Sequence, residues 1–157
     1  MRTLVIAGLM LALCAVGSAH AVCTPGSLDL RWPGGQAHFT VEVAADQAAR
    51  EKGLMFREHM ASSAGMIFVY QAPIHARFWM KNTLIPLDMI FADETGLVTV
   101  VHSDAIPQDL TPIDGGEGVM YVLEINGGLA KRIGIAAGAE MRFDLIDPSK
   151  ALWSCAD

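Results

Sequence analysis

Basic residues are scarce in this sequence of 157 residues: 11 Lys and Arg stand against 17 Asp and Glu, which gives a net charge of −6. Contacts with the phosphates of a nucleic acid need a clustered basic surface, and no run of Lys or Arg occurs in the sequence. We therefore expect no nucleic acid partner. Only 18% of the residues are charged and 52% are apolar, a composition that excludes a disordered or low-complexity chain and favours one folded domain.

The short motifs of common enzymes and metal sites are also missing. The sequence has no C-x-x-C, no H-E-x-x-H and no G-x-S-x-G, and the glycines of Gly115–Gly118 lack the spacing and the Lys of a phosphate-binding loop. Outside the N-terminal segment the histidines are scattered, at His38, His59, His75 and His102. We therefore expect neither a bound metal nor a cofactor.

Nine methionines are many for this length. Because thioether sulfur is a good ligand for Cu(I), a copper site made of Met and His is one alternative function. However, Met66, Met80 and Met89 lie within apolar runs, and no M-x-x-M or M-x-M pair occurs. Flexible filling of a hydrophobic core is the interpretation that this pattern favours.

The N-terminus has the three parts of a secretory signal. A positive start, Met1–Thr3, precedes the apolar run Leu4–Val16, and Ala19–Ala21 provides the small residues of a cleavage site. About 13 apolar residues are too few to cross a membrane, which takes roughly 20, so a retained anchor is the weaker alternative. We expect residues 1–21 to be removed and 22–157 to form one domain that is periplasmic or secreted, without a stable membrane span and monomeric.

Only two of the three cysteines remain after that cleavage, Cys23 and Cys155, one near each end of the mature chain. Disulfides persist in exported proteins, so the sequence predicts a bond between them, with two free thiols as the alternative. In the loop-entropy model, closing a loop of more than about 100 residues stabilises the fold by about 4 to 5 kcal/mol.

Hydrophobic alternation predicts mainly strands. Phe39, Val41 and Val43 alternate with polar residues in Ala37–Ala44, and Asp46 is placed to begin a short helix that ends at Gly53. Further strands are predicted at Met66–Tyr70, Arg77–Lys81, Leu87–Ala92, Leu97–His102, Tyr121–Ile125 and Met141–Leu145.

The segments between these strands complete the expected fold. Asp93–Gly96 has the length of a hairpin connection, Leu129–Ile133 can form a turn or two of helix, and Asp104–Gly118 is rich enough in Pro, Gly and Asp to predict a long acidic loop. We expect a mainly β fold: a compact antiparallel β-sandwich or barrel with one or two short helices.

Five blocks of the sequence, in order, carry a family resemblance. They are Gly53–Arg57 (GLMFR), Gly65–Phe68 (GMIF), Phe78–Thr83 (FWMKNT), Pro86–Asp88 (PLD) and Val122–Gly128 (VLEINGG). With these blocks the chain resembles the uncharacterised family called domain of unknown function 192 (DUF192) over about 37–145. The resemblance implies a compact, mainly β domain that is often exported in bacteria, and it implies no activity, substrate or cofactor.

Strand alternation also predicts a group of polar residues. If Phe78 and Met80 face the core, Trp79 and Lys81 face the other way, and Asp88 joins them from the next strand, where it is placed for an ion pair with Lys81. An indole beside charged groups often lines a pocket. The candidate ligand-binding residues are Arg57, Trp79, Lys81, Asn82, Asp88 and Glu124.

Several functions remain open for this group. The preferred one is a small exported binding or accessory module for a polar small molecule or a component of the cell envelope. The alternatives are a hydrolase in which Asp88 and Glu124 serve as acid and base around Lys81, the copper site, a surface for a protein partner, or an ordinary solvated sheet face with a weak ion pair.

Overall fold

The computed structural model describes residues 23–156. Within them the chain forms seven strands and two short helices. The strands are β1 (Ser27–Trp32), β2 (Gly35–Ala44), β3 (Ala64–Phe78), β4 (Leu87–Ala92), β5 (Val98–Ala105), β6 (Ile113–Asn126) and β7 (Glu140–Phe143), and the helices are α1 (Gln47–Lys52) and α2 (Leu129–Ile133). The predicted mainly β fold with one or two short helices is confirmed.

The strands form one curled sheet in the order β5-β4-β6-β3-β2-β1-β7. Its two edges approach each other where Leu97 bridges Glu140 and the Val98 N–H donates to the Ala139 carbonyl over 2.8 Å, so the sheet is a half-barrel. Neighbouring strands are antiparallel except for β2 and β3, which are parallel. A parallel pair needs a crossover, and α1 lies in the segment that provides it.

The three central strands β3, β4 and β6 are covered on both faces. Ile67, Ile90 and Leu123 belong to one buried cluster with Leu28, Phe39, Met141 and Phe143. Their neighbours in sequence belong to a second cluster on the opposite face, which contains Phe68, Met89, Phe91 and Val122. A polar residue on β4, or on Tyr121–Ile125 of β6, is therefore buried whichever face it takes, as Asp88 and Glu124 are.

Helix α1 begins and ends as its sequence predicts. The Asp46 side chain accepts a hydrogen bond from the Ala49 backbone N–H over 2.8 Å, and Gly53, at φ 49°, closes the helix with its N–H on the Ala49 carbonyl. The last turn carries Arg50 and Lys52. The helix thus brings two cations to the second cluster's side of the sheet.

The structure corrects the prediction of a loop over Asp104–Gly118. β5 extends to Ala105 and β6 begins at Ile113, so only the short segment between them is a loop. Glycines inside a strand mark bulges and close approaches, and Gly115 lies under Phe91, whose Cδ1 atom would be 2.2 Å from an added Cβ. Packing explains Gly115, whereas Gly116 and Gly118 have positive φ, at 84° and 74°, within the irregular start of β6.

Two further strand predictions also change. Met66–Tyr70 belongs to the long strand β3, whose pairing with β6 shifts register between Val69 and Ile74. Pro73 lies in that interruption, which is where a strand tolerates Pro. Of the predicted strand Arg77–Lys81 only Arg77 and Phe78 are in β3, and residues 79–81 lie in the loop that follows. β1 (Ser27–Trp32) was missed, although its sequence SLDLRW alternates between polar and apolar residues as a strand does.

The chain ends are tied together. Cys23 and Cys155 form the predicted disulfide, with a Cα–Cα distance of 5.2 Å. The guanidinium groups of Arg31 and Arg142 lie over the Trp153 ring, at 4.6 and 4.2 Å from its centroid. The predicted signal segment lies outside the described residues. Among residues 23–156 no helix is long and apolar enough to span a membrane.

Candidate functional site

A cavity of about 450 Å³ opens on the second cluster's side of the sheet. It lies between the end of α1, the second half of β3 and the loop that follows β3, with β6 beneath. Charged, polar and aromatic side chains line it, with a few aliphatic ones: Arg50, Glu51, Lys52, Leu54, Met55, Phe68, Tyr70, Arg77, Phe78, Trp79, Lys81, Asn82, Thr83 and Glu124. We call it the Glu124 cavity.

Glu124 lies at the base of this cavity on the central strand β6. Its register partners are Met66 on β3 and Met89 on β4, and cross-strand partners project from the same face, so apolar side chains flank the carboxyl on both sides. The residue is 5% exposed. No group among residues 23–156 donates a hydrogen bond to its carboxyl, and burial raises the pKa of this carboxyl to about 8.

Three cations at the cavity form no close ion pair, although Arg77 is the register partner of Asp114 and Lys52 lies near Glu42. Lys52, Arg77 and Lys81 line it, and none forms an ion pair within 4 Å in the described part of the chain. Arg50 differs, because it donates to the backbone carbonyls of Ala45 and Val69 and lies 5.1 Å from the Tyr70 ring centroid. Arg50 therefore holds the wall in place, while the other three cations remain available.

Aromatic rings form one wall of the cavity. Phe78 packs edge-on against Phe68 and Phe91, with centroids 5.2 and 5.7 Å apart, which fixes the end of β3. The next residue, Trp79, is 51% exposed, and the Lys81 ammonium lies 5.1 Å from its ring centroid. A half-exposed indole beside a cation offers both a flat apolar surface and a positive charge to a ligand.

Asn82 joins two loops at the mouth. It has φ 54°, a left-handed conformation that Asn adopts more readily than most residues. Its carbonyl accepts from the Phe56 N–H over 2.8 Å, and its side-chain amide donates to the Met55 sulfur over 3.8 Å. Asn82 thereby holds the loop after β3 against the segment that follows α1, and it sets the shape of the opening.

The structure brings four of the predicted site residues together, since Trp79, Lys81, Asn82 and Glu124 all line the Glu124 cavity. Their part in ligand binding stays a prediction. Arg57 lies apart. Its guanidinium pairs with both carboxylate oxygens of Glu42, at 2.5 and 2.9 Å, and it lines a neighbouring cavity of about 510 Å³.

Asp88 corrects the sequence interpretation. It is fully buried, and its two oxygens accept hydrogen bonds from the backbone N–H groups of Asp104, Gly128 and Ala130 over 2.6 to 2.8 Å. The expected ion pair with Lys81 is absent from the described residues. The alternation was correct, but the face opposite Met89 is also core, where Asp88 anchors the start of α2.

That placement also separates the two proposed catalytic carboxyls. Glu124 shares a face with Met89, and Asp88 precedes Met89 in the same strand, so Asp88 and Glu124 project from opposite faces of the sheet. An acid and base acting on one bond must lie on the same side of it or flank it in one cleft. The hydrolase hypothesis built on this pair is therefore wrong.

Several lining residues were missed by sequence reasoning. Arg77 follows the same alternation as Trp79 and Lys81, so its position was readable from the pattern. The places of Lys52 and Tyr70 in the cavity lining could not be predicted from the sequence, because only the crossover brings α1 over β3. Glu124 was selected from its strand, but its burial depends on which strands flank it.

Metal ligands are not gathered at this site. Among residues 23–156 no group of three or more His, Cys, Asp or Glu is placed to hold a metal. Met66, Met80 and Met89 are buried in the second cluster, as expected for core filling.

Comparison with known proteins places this fold among uncharacterised relatives. The sequence model of the DUF192 family matches residues 30–143. A structure from Novosphingobium aromaticivorans, a protein of unknown function, is 35% identical with a TM-score of 0.74 over 83% of this chain and 100% of that one. A structure from Sinorhizobium meliloti, named as a candidate transcription regulator, is 38% identical with a TM-score of 0.70 over 76% of this chain and 95% of that one. No curated protein matches the chain.

Proposed function

Because the chain belongs to the DUF192 family of uncharacterised proteins, we propose its function from the site itself: the domain binds a small polar molecule in the Glu124 cavity. The observation that carries the proposal is the Glu124 carboxyl, which is buried, faces the cavity and receives no hydrogen bond within residues 23–156. No fully buried side-chain oxygen among residues 23–156 lacks a partner, so solvent reaches this carboxyl through the cavity, but its apolar surroundings leave it poorly solvated at a cost in free energy. A ligand that hydrogen-bonds to Glu124 offsets that cost.

The size and lining of the cavity support a small molecule. Ligand pockets commonly measure about 300 to 1,000 Å³ and combine apolar walls with a few polar groups, and the Glu124 cavity of about 450 Å³ has aromatic walls with charged groups around them. The name of the Sinorhizobium meliloti protein would suggest nucleic acid. The net charge of −6 argues against extending it to this chain.

The proposed setting is the cell envelope. Two features support export: the signal-like segment 1–21 and the disulfide between Cys23 and Cys155, because disulfides persist in oxidising compartments. In that setting the ligand is a soluble metabolite or a fragment of an envelope component.

A ligand screen on the oxidised mature protein tests the proposal. Sugars, peptidoglycan fragments, organic acids, nucleotides and metal salts are added while the melting temperature is followed, since a ligand that binds only the folded state must raise it. We expect a hit that Trp79→Ala abolishes. Phe56→Ala is the matched control, because Phe56 is an exposed aromatic residue outside the Glu124 cavity.

The proposal fails if no compound in the screen stabilises the wild-type protein. It also fails if the hit survives Trp79→Ala, because the binding site would then lie elsewhere. A hit given by a copper salt alone, lost when Met55 is replaced by Leu, would favour the copper alternative instead.

A further inference from the structure

The charges around the Glu124 cavity indicate what kind of molecule enters it. Several other cations on the described surface are neutralised, as in the pairs Arg31 with Glu140, Arg142 with Asp29 and Lys150 with Glu94. Lys131 and Arg132 on α2 form no ion pair within the described residues, but they do not line the Glu124 cavity. Lys52, Arg77 and Lys81 are not paired, and all three line one cavity. In an acidic protein this leaves a local positive field at the mouth, which concentrates small anions.

The base of the cavity does not repel such an anion. The groups facing Glu124 or lining the cavity beside it are Arg50, Glu51 and Lys52 from the end of α1, Tyr70 and Arg77 from β3, and Lys81 from the following loop. Burial keeps the Glu124 carboxyl largely protonated at neutral pH, with its pKa raised to about 8. A protonated carboxyl donates one hydrogen bond and still accepts others, so it suits a hydroxyl or an anionic oxygen.

The exposed indole of Trp79 adds a flat apolar surface to the cavity lining. Trp79 is followed at two residues by Lys81, whose ammonium lies over its ring. A molecule that bears an anionic group on a hydroxylated ring can contact all three parts of the lining. Its anion would lie beside Lys81 and Arg77, its ring face on Trp79, and a hydroxyl at Glu124.

We propose that the Glu124 cavity binds an acidic sugar, whose carboxylate or phosphate contacts Lys81 and Arg77 and whose ring hydroxyl hydrogen-bonds to Glu124. This inference rests on the proposed function and narrows its ligand to one chemical class. The carboxylate of a uronic or muramic acid and the phosphate of a sugar phosphate share this chemistry.

Matched sugar pairs separate charge from ring shape. Calorimetric titration compares glucose with glucuronate and with glucose 6-phosphate, and N-acetylglucosamine with N-acetylmuramic acid, at about pH 6.5. We expect an acidic member to bind at least about tenfold more tightly than its neutral partner. Whether a carboxylate or the phosphate gives the tighter binding identifies the source of the anion.

Two charge-removing variants test the placement of the anion. Lys81→Met keeps the aliphatic stem and removes the ammonium, so it is expected to weaken the acidic sugar at least about fivefold while leaving the neutral sugar unchanged. Lys131→Met is the control, because Lys131 is an exposed cation on α2 outside the cavity. Equal weakening by both variants would contradict a contact at Lys81.

The pH dependence tests the hydrogen bond at Glu124. Ionisation of Glu124 removes the proton that it donates to the ring hydroxyl and adds a negative charge to the cavity that holds the anion, so wild-type affinity falls between about pH 7 and pH 9. Glu124→Gln cannot ionise and keeps its affinity across that range. A fall of the same size in both proteins would overturn the role assigned to Glu124.

The two proposals fail in different ways. If neutral and acidic members bind equally and Trp79→Ala abolishes both, the acidic-sugar inference is overturned and the binding function stands. If no member of any pair binds at up to about 10 mM, weaker than any useful affinity for a small ligand, and the broader screen also gives no hit, both are overturned.

Discussion

Glu124 is the residue on which the site depends, and its burial among apolar side chains disfavours its charged form. Its carboxyl is buried between Met66 and Met89 without a hydrogen bond from the described residues. Asp88, one strand away, is buried too, but three backbone N–H groups satisfy its oxygens. The contrast separates a carboxyl that stabilises the fold from one that protein groups leave free to meet solvent or a ligand in a cavity, and a carboxyl with a strongly shifted pKa in a cavity is typical of a functional site.

Replacing Glu124 by Gln is expected to stabilise the ligand-free protein as pH rises. The ordinary pKa of 4.5 is raised to about 8 in the folded state, so between these values the folded chain holds one proton more than the unfolded chain. The free energy of unfolding of the wild type therefore falls as pH rises from 4.5 to about 8 and then levels off. The gap to Glu124→Gln grows from near zero to on the order of 3 kcal/mol at pH 7.

Urea denaturation of both proteins across this pH range measures the gap. Glu42→Gln is the control with the opposite sign: the hydrogen bond from Arg57 lowers the pKa of Glu42, so removing that carboxyl destabilises the protein above its pKa. A gap for Glu124→Gln that stays constant from pH 5 to pH 8 would show that burial does not hold its proton.

At the scale of elements, the cavity exists because β3 and β6 are long and irregular. Shifts in their register between Val69 and Arg77 bend the second half of β3, which carries Arg77 and Phe78 over the sheet. Phe78 is fixed there by its edge-on contact with Phe91. Phe91 in turn occupies the space that Gly115 leaves free on β6, so a glycine supports the aromatic wall.

Gly115→Ala is expected to lower the free energy of unfolding by about 2 to 3 kcal/mol, because the new methyl overlaps Phe91 and an overpacked core relaxes poorly. Gly118→Ala is the matched control in the same strand: Gly118 has positive φ but nothing within 4 Å of an added Cβ, so only backbone strain of about 1 kcal/mol applies. Urea denaturation compares the two variants. Equal losses would mean that Phe91 moves aside freely.

At the scale of the whole molecule, two features close the half-barrel. The bridge from Leu97 to Glu140 joins its edges, and the disulfide joins residues 132 positions apart. Trp153, whose ring lies under the guanidinium groups of two arginines, packs the C-terminal segment on β1 and β7. Arg31 and Arg142 alternate with Leu30 and Met141 of the first buried cluster, so Trp153 covers the opposite face of β1 and β7.

Removing the disulfide tests this closure. Cys23→Ser with Cys155→Ser is expected to lower the free energy of unfolding by up to about 4 to 5 kcal/mol, since the unfolded chain gains the freedom of a very long loop. Reduction of the wild type is the control and is expected to give the same loss. A loss below about 1 kcal/mol would mean that the Trp153 contacts alone fix the C-terminus.

The sequence determined the strand and helix segments where the pattern was local. The Asp46 cap, the Gly53 end of α1 and the alternation of β2 rest on neighbouring residues, and the family resemblance rests on motifs in a fixed order. It also placed Trp79 and Lys81 on one side of their segment. These features depend on residues a few positions apart, which a sequence displays directly.

Tertiary structure decided what those faces meet. Alternation placed Asp88 and Met89 on opposite faces of β4, but only the order of strands in the sheet shows that both faces are buried. The crossover through α1 decided that Lys52 and Tyr70 meet at one cavity, and the register of β6 between β3 and β4 decided that Glu124 is buried at its base. These outcomes follow from pairings between distant segments, whose free energy comes from burial that no local pattern encodes.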